Sequence, residues 1–120
     1  MNAAEWKYEI VKACKEAGTF RPCFWAAIDA LAYILERRDY AQEVFEEAGG
    51  QVVVEHTNKA GATNTVKNPM FTLIMDLNAQ ALAYWRDLGL TPAGLKRIDE
   101  KATKAPRKSA LAEALESLGG

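Results

Sequence analysis

Apolar residues recur every three or four positions near the start of the chain, the spacing that places side chains on one face of an α-helix. Trp6, Ile10 and Cys14 follow this spacing, and Gly18 comes directly after the pattern ends. Glycine readily adopts the left-handed conformation that closes a helix. The pattern therefore predicts a first helix over about residues 3–17.

A second apolar stripe begins after Pro22 and continues as far as Gly49, which predicts a long helix over about residues 22–48. Its first part is unusual because residues 22–35 contain a single charged side chain, that of Asp29. Apolar groups therefore occupy every side of this helix rather than one face.

Two dipeptides further along mark helix starts, Asn68-Pro69 and Thr91-Pro92. Asparagine and threonine side chains accept hydrogen bonds from the backbone N–H groups of a first helical turn. Proline fits the first helical position because its missing N–H is not needed there. We expect one helix over about residues 69–88, stopped by Gly89, and another over about residues 92–101.

The segment between the long helix and Asn68 is rich in β-branched residues. Residues 51–57 and 62–67 are joined by a turn-forming stretch that starts at Asn58, so we expect a β-hairpin over residues 51–67. A lone hairpin is marginally stable in water. It should pack on the helices or pair with the hairpin of a neighbouring subunit.

The helix predicted after Asn68 is also apolar on several sides, because Asp76 is its only charge between residues 69 and 85. Two such helices in a chain of 120 residues favour burial against other copies of the chain, and a tight monomeric core is the alternative. The predicted oligomer interface comprises Phe24, Trp25, Ile28, Leu31, Leu35, Phe71, Ile74, Leu77 and Trp85.

The two isolated acids of these helices, Asp29 and Asp76, could catalyse acid–base chemistry only if their carboxylates converged. We expect them instead to form salt bridges at subunit interfaces, with Arg37, Arg38 or Arg86.

The composition is that of one small globular domain, with 49% hydrophobic residues, 26% charged residues and a net charge of −1. The charge is uneven, because residues 96–108 hold six basic side chains and two acidic ones. Basic residues on an otherwise acidic body suggest contact with a polyanion, and a solvated tail is the alternative. The candidate phosphate contacts are Lys96, Arg97, Lys101, Lys104, Arg107 and Lys108.

The end of the chain shows an amphipathic pattern after Ser109, where three leucines share one stripe. The short helix that they predict either docks on the body or binds a partner. We divide the chain into a helical oligomerisation core, residues 1–95, and a basic arm with this helix, residues 96–120. The candidate partner-binding residues are Leu111, Leu115 and Leu118.

The sequence lacks the signals of an enzyme. It has one histidine, His56, and its two cysteines, Cys14 and Cys23, are too few and too far apart for a disulfide or metal framework. We expect both thiols to be reduced core residues and predict no catalytic residue, metal or cofactor. Neither a membrane span nor a secretory signal is apparent, which favours the cytoplasm.

The order of features from Arg38 to Ile98 resembles the P27-type small terminase subunits of tailed bacteriophages. The likeness rests on the helix around residues 39–43, a Gly-Gly pair before a valine-rich strand, Lys67-Asn68-Pro69, an apolar helix, and Leu88-Gly89-Leu90-Thr91-Pro92. The family often has an arginine three residues after the Thr-Pro pair, where this chain has Leu95 followed by Lys96 and Arg97.

This resemblance implies a non-enzymatic component of a DNA-packaging motor in the cytoplasm of a bacterial host. A ring of identical subunits would engage double-stranded viral DNA and present it to the large terminase subunit. The C-terminal leucine helix would be the element that binds the large subunit. The expected fold class is mainly α: a ring-forming helical bundle with a long helix pair, one β-hairpin insertion and a C-terminal basic helical arm.

Two other interpretations stay open at this point. In the first, the chain is a monomeric or dimeric DNA-binding regulator whose first two helices form a helix-turn-helix. The presumed recognition helix, residues 23–35, has few polar side chains to meet base edges, which weakens this interpretation. In the second, the chain is a phage structural scaffold that forms a ring with little affinity for DNA.

Overall fold

The structure is a computed structural model that describes the backbone of residues 1–104 and the side chains of residues 1–101. This part of the chain is mainly helical and contains one two-stranded antiparallel sheet. In chain order the elements are α1 (Ala3–Ala17), α2 (Trp25–Glu47), β1 (Val53–Thr57), β2 (Thr63–Lys67), α3 (Pro69–Asp87) and α4 (Pro92–Lys104).

The ends of the first two helices confirm the sequence predictions. Asn2 caps α1 by accepting a hydrogen bond from the backbone N–H of Glu5 at 2.8 Å, and Gly18 closes it with a φ of 73°. A single 3-10 turn, Pro22–Phe24, leads into α2, and α2 ends one residue before the predicted boundary at Ala48.

The two later helices begin at the predicted caps. The Asn68 side chain accepts from the N–H of Met70 at 3.0 Å, and the Thr91 hydroxyl accepts from the N–H of Gly94 at 3.0 Å. The last helix is longer than predicted, because it continues through Lys101 to Lys104. It also crosses the predicted division at residue 95, so Lys96, Arg97 and Lys101 lie on the same helix as Pro92.

The core lies along α2, which packs between α1 and α3. Its larger cluster joins all three helices and contains Ile10, Cys14, Ile28, Leu31, Ala32, Leu35, Ala81 and Leu88. A smaller cluster, Ala41, Phe45 and Ile74, joins the second half of α2 to α3. Full burial of each large aliphatic side chain contributes roughly 1.5–3 kcal/mol.

Polar contacts fix α1 and α2 as an antiparallel pair. The Lys7 ammonium lies 2.8 Å from the Asp29 carboxylate, and the backbone N–H of Ala3 donates to the Glu36 carboxylate at 2.7 Å. The Trp6 indole N–H donates to Asp39 at 2.7 Å. Asp29 therefore pairs with Lys7 within one chain, whereas the expected salt bridge to an arginine across a subunit interface stays a prediction.

The hairpin stands away from the helices. Val54 pairs with Val66 and Thr57 with Thr63, but every residue of the two strands except Val54 is exposed. Its attachment is polar: the Asn68 side-chain amide donates to the carbonyl of Gln51 at 2.8 Å. We predicted that the hairpin either packs on the helices or pairs with a neighbouring hairpin. The first of these predictions is wrong for a single chain.

Candidate functional surfaces

The basic residues of α4 form an exposed group. Lys96, Arg97 and Lys101 are all exposed within two turns of this helix. Lys104 belongs to the last turn of α4, but its side chain lies outside the description. The remaining predicted contacts lie outside the described residues, as do the predicted partner-binding leucines: Arg107, Lys108, Leu111, Leu115 and Leu118.

Two glycines set the position of α4: Gly89, which the sequence predicted only as a helix stop, and Gly94, which the sequence patterns did not single out. A Cβ atom at Gly94 would lie 2.1 Å from the carbonyl oxygen of Arg86, so the backbones of α4 and α3 touch there. A Cβ atom at Gly89 would lie 2.6 Å from Ile98 and 2.8 Å from Thr19. These approaches join three segments that are distant in sequence, so the role of the two glycines follows only from how the helices pack.

The predicted oligomer interface divides into two groups in the structure. Ile28, Leu31, Leu35 and Ile74 are at most 2% exposed within a single chain, so a second subunit cannot contact them. Their assignment to an interface is corrected, because they form the core of one chain: α1 and α3 cover Ile28, Leu31 and Leu35 of α2, and Ile74 of α3 packs against Ala41 and Phe45. The others are half-buried or exposed: Phe24, Trp25, Phe71, Leu77 and Trp85.

Apolar surface is nevertheless exposed on the two long helices, at residues that the sequence predictions did not include. Tyr33 and Tyr40 of α2 are 52% and 68% exposed, and Leu73, Met75 and Leu82 of α3 are 42–48% exposed. A groove of about 330 Å³ lies between these helices and is lined by Arg37, Tyr40, Ala41, Met70, Leu73 and Leu77.

The exposed apolar residues of α3 lie on two flanks. At 100° per residue, Met75 and Leu82 fall on one side of the helix, and Leu73 falls on the opposite side beside the groove. Ile74 points into the core between them. Each flank is therefore open to a different contact.

The described residues carry few groups suited to chemistry. They include no cluster of three or more histidine, cysteine or acidic residues that could hold a metal ion. His56 is exposed in the hairpin opposite Asn64, which agrees with a cross-strand position. No helix in the described range is long and apolar enough to cross a membrane.

The two cysteines differ in environment. Cys14 is buried in the core, and burial raises the pKa of its thiol although a hydrogen bond with Thr19 acts in the opposite direction. Cys23 is exposed in the 3-10 turn that precedes α2, so its predicted burial is wrong. The 3-10 turn at Pro22–Phe24 rotates Cys23 outwards while Phe24 packs against the core.

The structure thus defines a small, mainly helical protein whose described surface offers apolar and basic contact areas. The family model for phage terminase, small subunit, matches residues 3–105. The chain therefore belongs to the phage terminase small subunit family. No curated protein and no solved structure was found with significant similarity to it. The family match does not specify the P27 type, which stays a prediction.

Proposed function

We propose that this chain is an oligomeric DNA-binding adaptor, a ring of which recognises double-stranded viral DNA and presents it to the large terminase subunit for packaging. The family match over residues 3–105 carries this proposal. The adaptor works in the cytoplasm of the bacterial host and catalyses no reaction itself. It needs no cofactor, because the large subunit supplies the nuclease and the ATPase.

The two apolar flanks of α3 support assembly into a ring. A head-to-tail interface joins two different faces of each subunit, and a ring results when the rotation between subunits closes. Leu82 and Met75 offer one face, and the groove around Leu73 and Tyr40 offers the other. The exposed hairpin is free to pair with its counterpart in a neighbour, which would relieve the marginal stability of an isolated hairpin.

The exposed lysines and arginine of α4 support contact with DNA. Each phosphate contact by itself is weak, but a ring repeats it once per subunit and so raises the overall affinity. Arg107 and Lys108 continue this basic segment in the sequence. The leucines of the C-terminal segment are the proposed docking element for the large subunit: Leu111, Leu115 and Leu118.

The first experiment tests assembly, by light scattering coupled to size exclusion. We expect a species of many subunits for the unmodified chain and a smaller one for Leu82→Glu, because this variant places a charge on an apolar flank. Ala83→Glu is the matched control, since it adds the same charge at an exposed position of the same helix, opposite the buried Ile74 and between the two flanks. Equal masses for all three proteins would remove the Leu82 flank from the interface.

The second experiment tests DNA binding by the assembled protein. We expect replacement of all six basic residues between 96 and 108 by glutamine to weaken DNA binding and to flatten its salt dependence. The variant should still assemble. A ring that binds no DNA would support a structural scaffold instead. A monomer or dimer that binds DNA would support the regulator.

A further inference from the structure

We infer that the last turn of α1 and the loop that follows it carry a second set of phosphate contacts, Lys15 and Arg21, which extends the basic surface of α4 around one end of the helical bundle. This inference rests on the proposed function, because the partner is the same double-stranded DNA. It assigns a role to residues outside the C-terminal basic segment.

The fold places this loop beside α4. Thr19 of the loop and Ile98 of α4 approach Gly89 so closely that a Cβ atom there would lie within 2.8 Å of both side chains. Lys101 follows Ile98 by three residues and so lies on the same side of α4. Arg21 follows Thr19 by two residues and is exposed. The loop and the basic helix therefore share one end of the bundle.

Arg21 is held in a way that leaves donors available. Its Nη1 atom donates to the carbonyl of Phe20 at 2.7 Å and to that of Gly18 at 3.3 Å. Both bonds use one nitrogen, so Nη2 and Nε can still form the two-pronged contact that guanidinium groups make with phosphate. The loop is itself fixed, because the N–H of Thr19 donates to the carbonyl of Cys14 at 2.9 Å. Little ordering is needed on binding.

Aromatic rings position Lys15. Its ammonium lies 5.4 Å from the centre of the Phe20 ring, and Phe20 packs edge-to-face on Trp25 at 5.5 Å. Lys7 lies over the other ring, 5.0 Å from the centre of Trp25, but it is paired with Asp29. Within the described residues Lys15 has no carboxylate at salt-bridge distance, so its charge is available to DNA.

Charge is distributed unevenly along the bundle. Residues 12–25 and 86–101, which build the end with the loop, hold seven basic and four acidic side chains. Residues 36–55, which lie toward the other end of α2 and into the hairpin, hold two basic and six acidic ones. DNA phosphates are therefore attracted to the first end and repelled from the second.

The test measures binding of the full chain to a 30-base-pair duplex by fluorescence anisotropy at several KCl concentrations. The test variant is Lys15→Gln with Arg21→Gln. Each lost phosphate contact reduces the magnitude of the slope of log K against log salt by about one, so we expect a reduction of about two for each subunit that contacts the duplex. The control, Lys7→Gln with Lys59→Gln, removes the same charge away from this surface and should keep the slope, because Lys7 is already paired with Asp29 and Lys59 lies in the hairpin loop.

A charge-conserving variant, Lys15→Arg with Arg21→Lys, should also keep the slope, and light scattering checks that every protein assembles alike. Binding by the unmodified chain with no change of slope in the Lys15→Gln, Arg21→Gln variant would overturn this inference and leave the proposed function standing. An equal loss in the control variant would overturn it too, because the effect would then follow total charge. Failure of the unmodified chain to bind DNA would overturn both.

Discussion

Replacement of Gly94 by alanine tests how α4 is held against α3, and so how the basic surface is placed. The new Cβ atom would lie 2.1 Å from the Arg86 carbonyl oxygen and 2.9 Å from its carbonyl carbon. Ordinary van der Waals contact begins at 3.4 Å. The oxygen contact is therefore too short by about 1.3 Å, and α4 must move because the Arg86 carbonyl belongs to the backbone of α3.

The expected free-energy change follows from two opposing effects. Overpacking of a close contact costs about 1–3 kcal/mol, while alanine gains at most about 1 kcal/mol over glycine in helix propensity. Because the 2.1 Å contact is with a backbone atom, the cost lies in the upper part of that range, about 2–3 kcal/mol, and the net loss is then about 1–2 kcal/mol. Since the core clusters are built from α1, α2 and α3, the loss falls on α4 rather than on the whole domain.

Hydrogen exchange measured by mass spectrometry can check this expectation. A loss of 1–2 kcal/mol lowers the protection of α4 amides by about 5–30-fold, while α2 amides keep theirs. Glu100→Ala is the matched control, because it introduces alanine at an exposed position of the same helix and should stay within about 0.5 kcal/mol. Equal or greater protection of α4 in Gly94→Ala would refute the close backbone approach.

Three further changes have defined outcomes. Asn68→Ala should lower the free energy of unfolding by about 1–2 kcal/mol in urea titrations, because it loses both the α3 cap and the hydrogen bond to Gln51. Asn68→Asp should keep the cap and lose only the hydrogen bond to Gln51. Burial tends to raise the pKa of Asp39, but hydrogen bonds from Trp6, Arg38 and the amino terminus outweigh it and lower the pKa. The stability that this lowered pKa confers is present above the pKa of the unfolded chain, about 3.9, and is lost as the pH falls through the pKa of the folded chain. Asp39→Asn should therefore destabilise the fold at pH 7, and the stability difference from the unmodified chain should shrink below about pH 4. With a thiol reagent, Cys23 should react in the native protein and Cys14 only on unfolding, so two equally fast thiols would contradict the burial of Cys14.

The element boundaries could be read from the sequence because the signals that set them are local. Asn68 and Thr91 cap their helices through hydrogen bonds to backbone groups two and three residues away, and Gly18 closes α1 through its own φ angle. None of these contacts depends on how the helices pack. The caps, the hairpin and the resemblance to small terminases were thus available from the sequence alone, and the family match confirms the last.

The tertiary structure decided which surfaces are covered, because burial depends on neighbours that are distant in sequence. The apolar run at the start of α2 predicted an interface between subunits, yet Ile28 and Leu31 are fully buried inside one chain by α1 and α3. Asp29 forms its salt bridge with Lys7 because helix packing brings α1 beside it. The position of α4 depends on glycines at the points of contact, and periodicity does not distinguish these glycines from ordinary helix breakers. Sequence fixes the helices through contacts within a few residues, whereas the faces they present to DNA and to other subunits follow from packing.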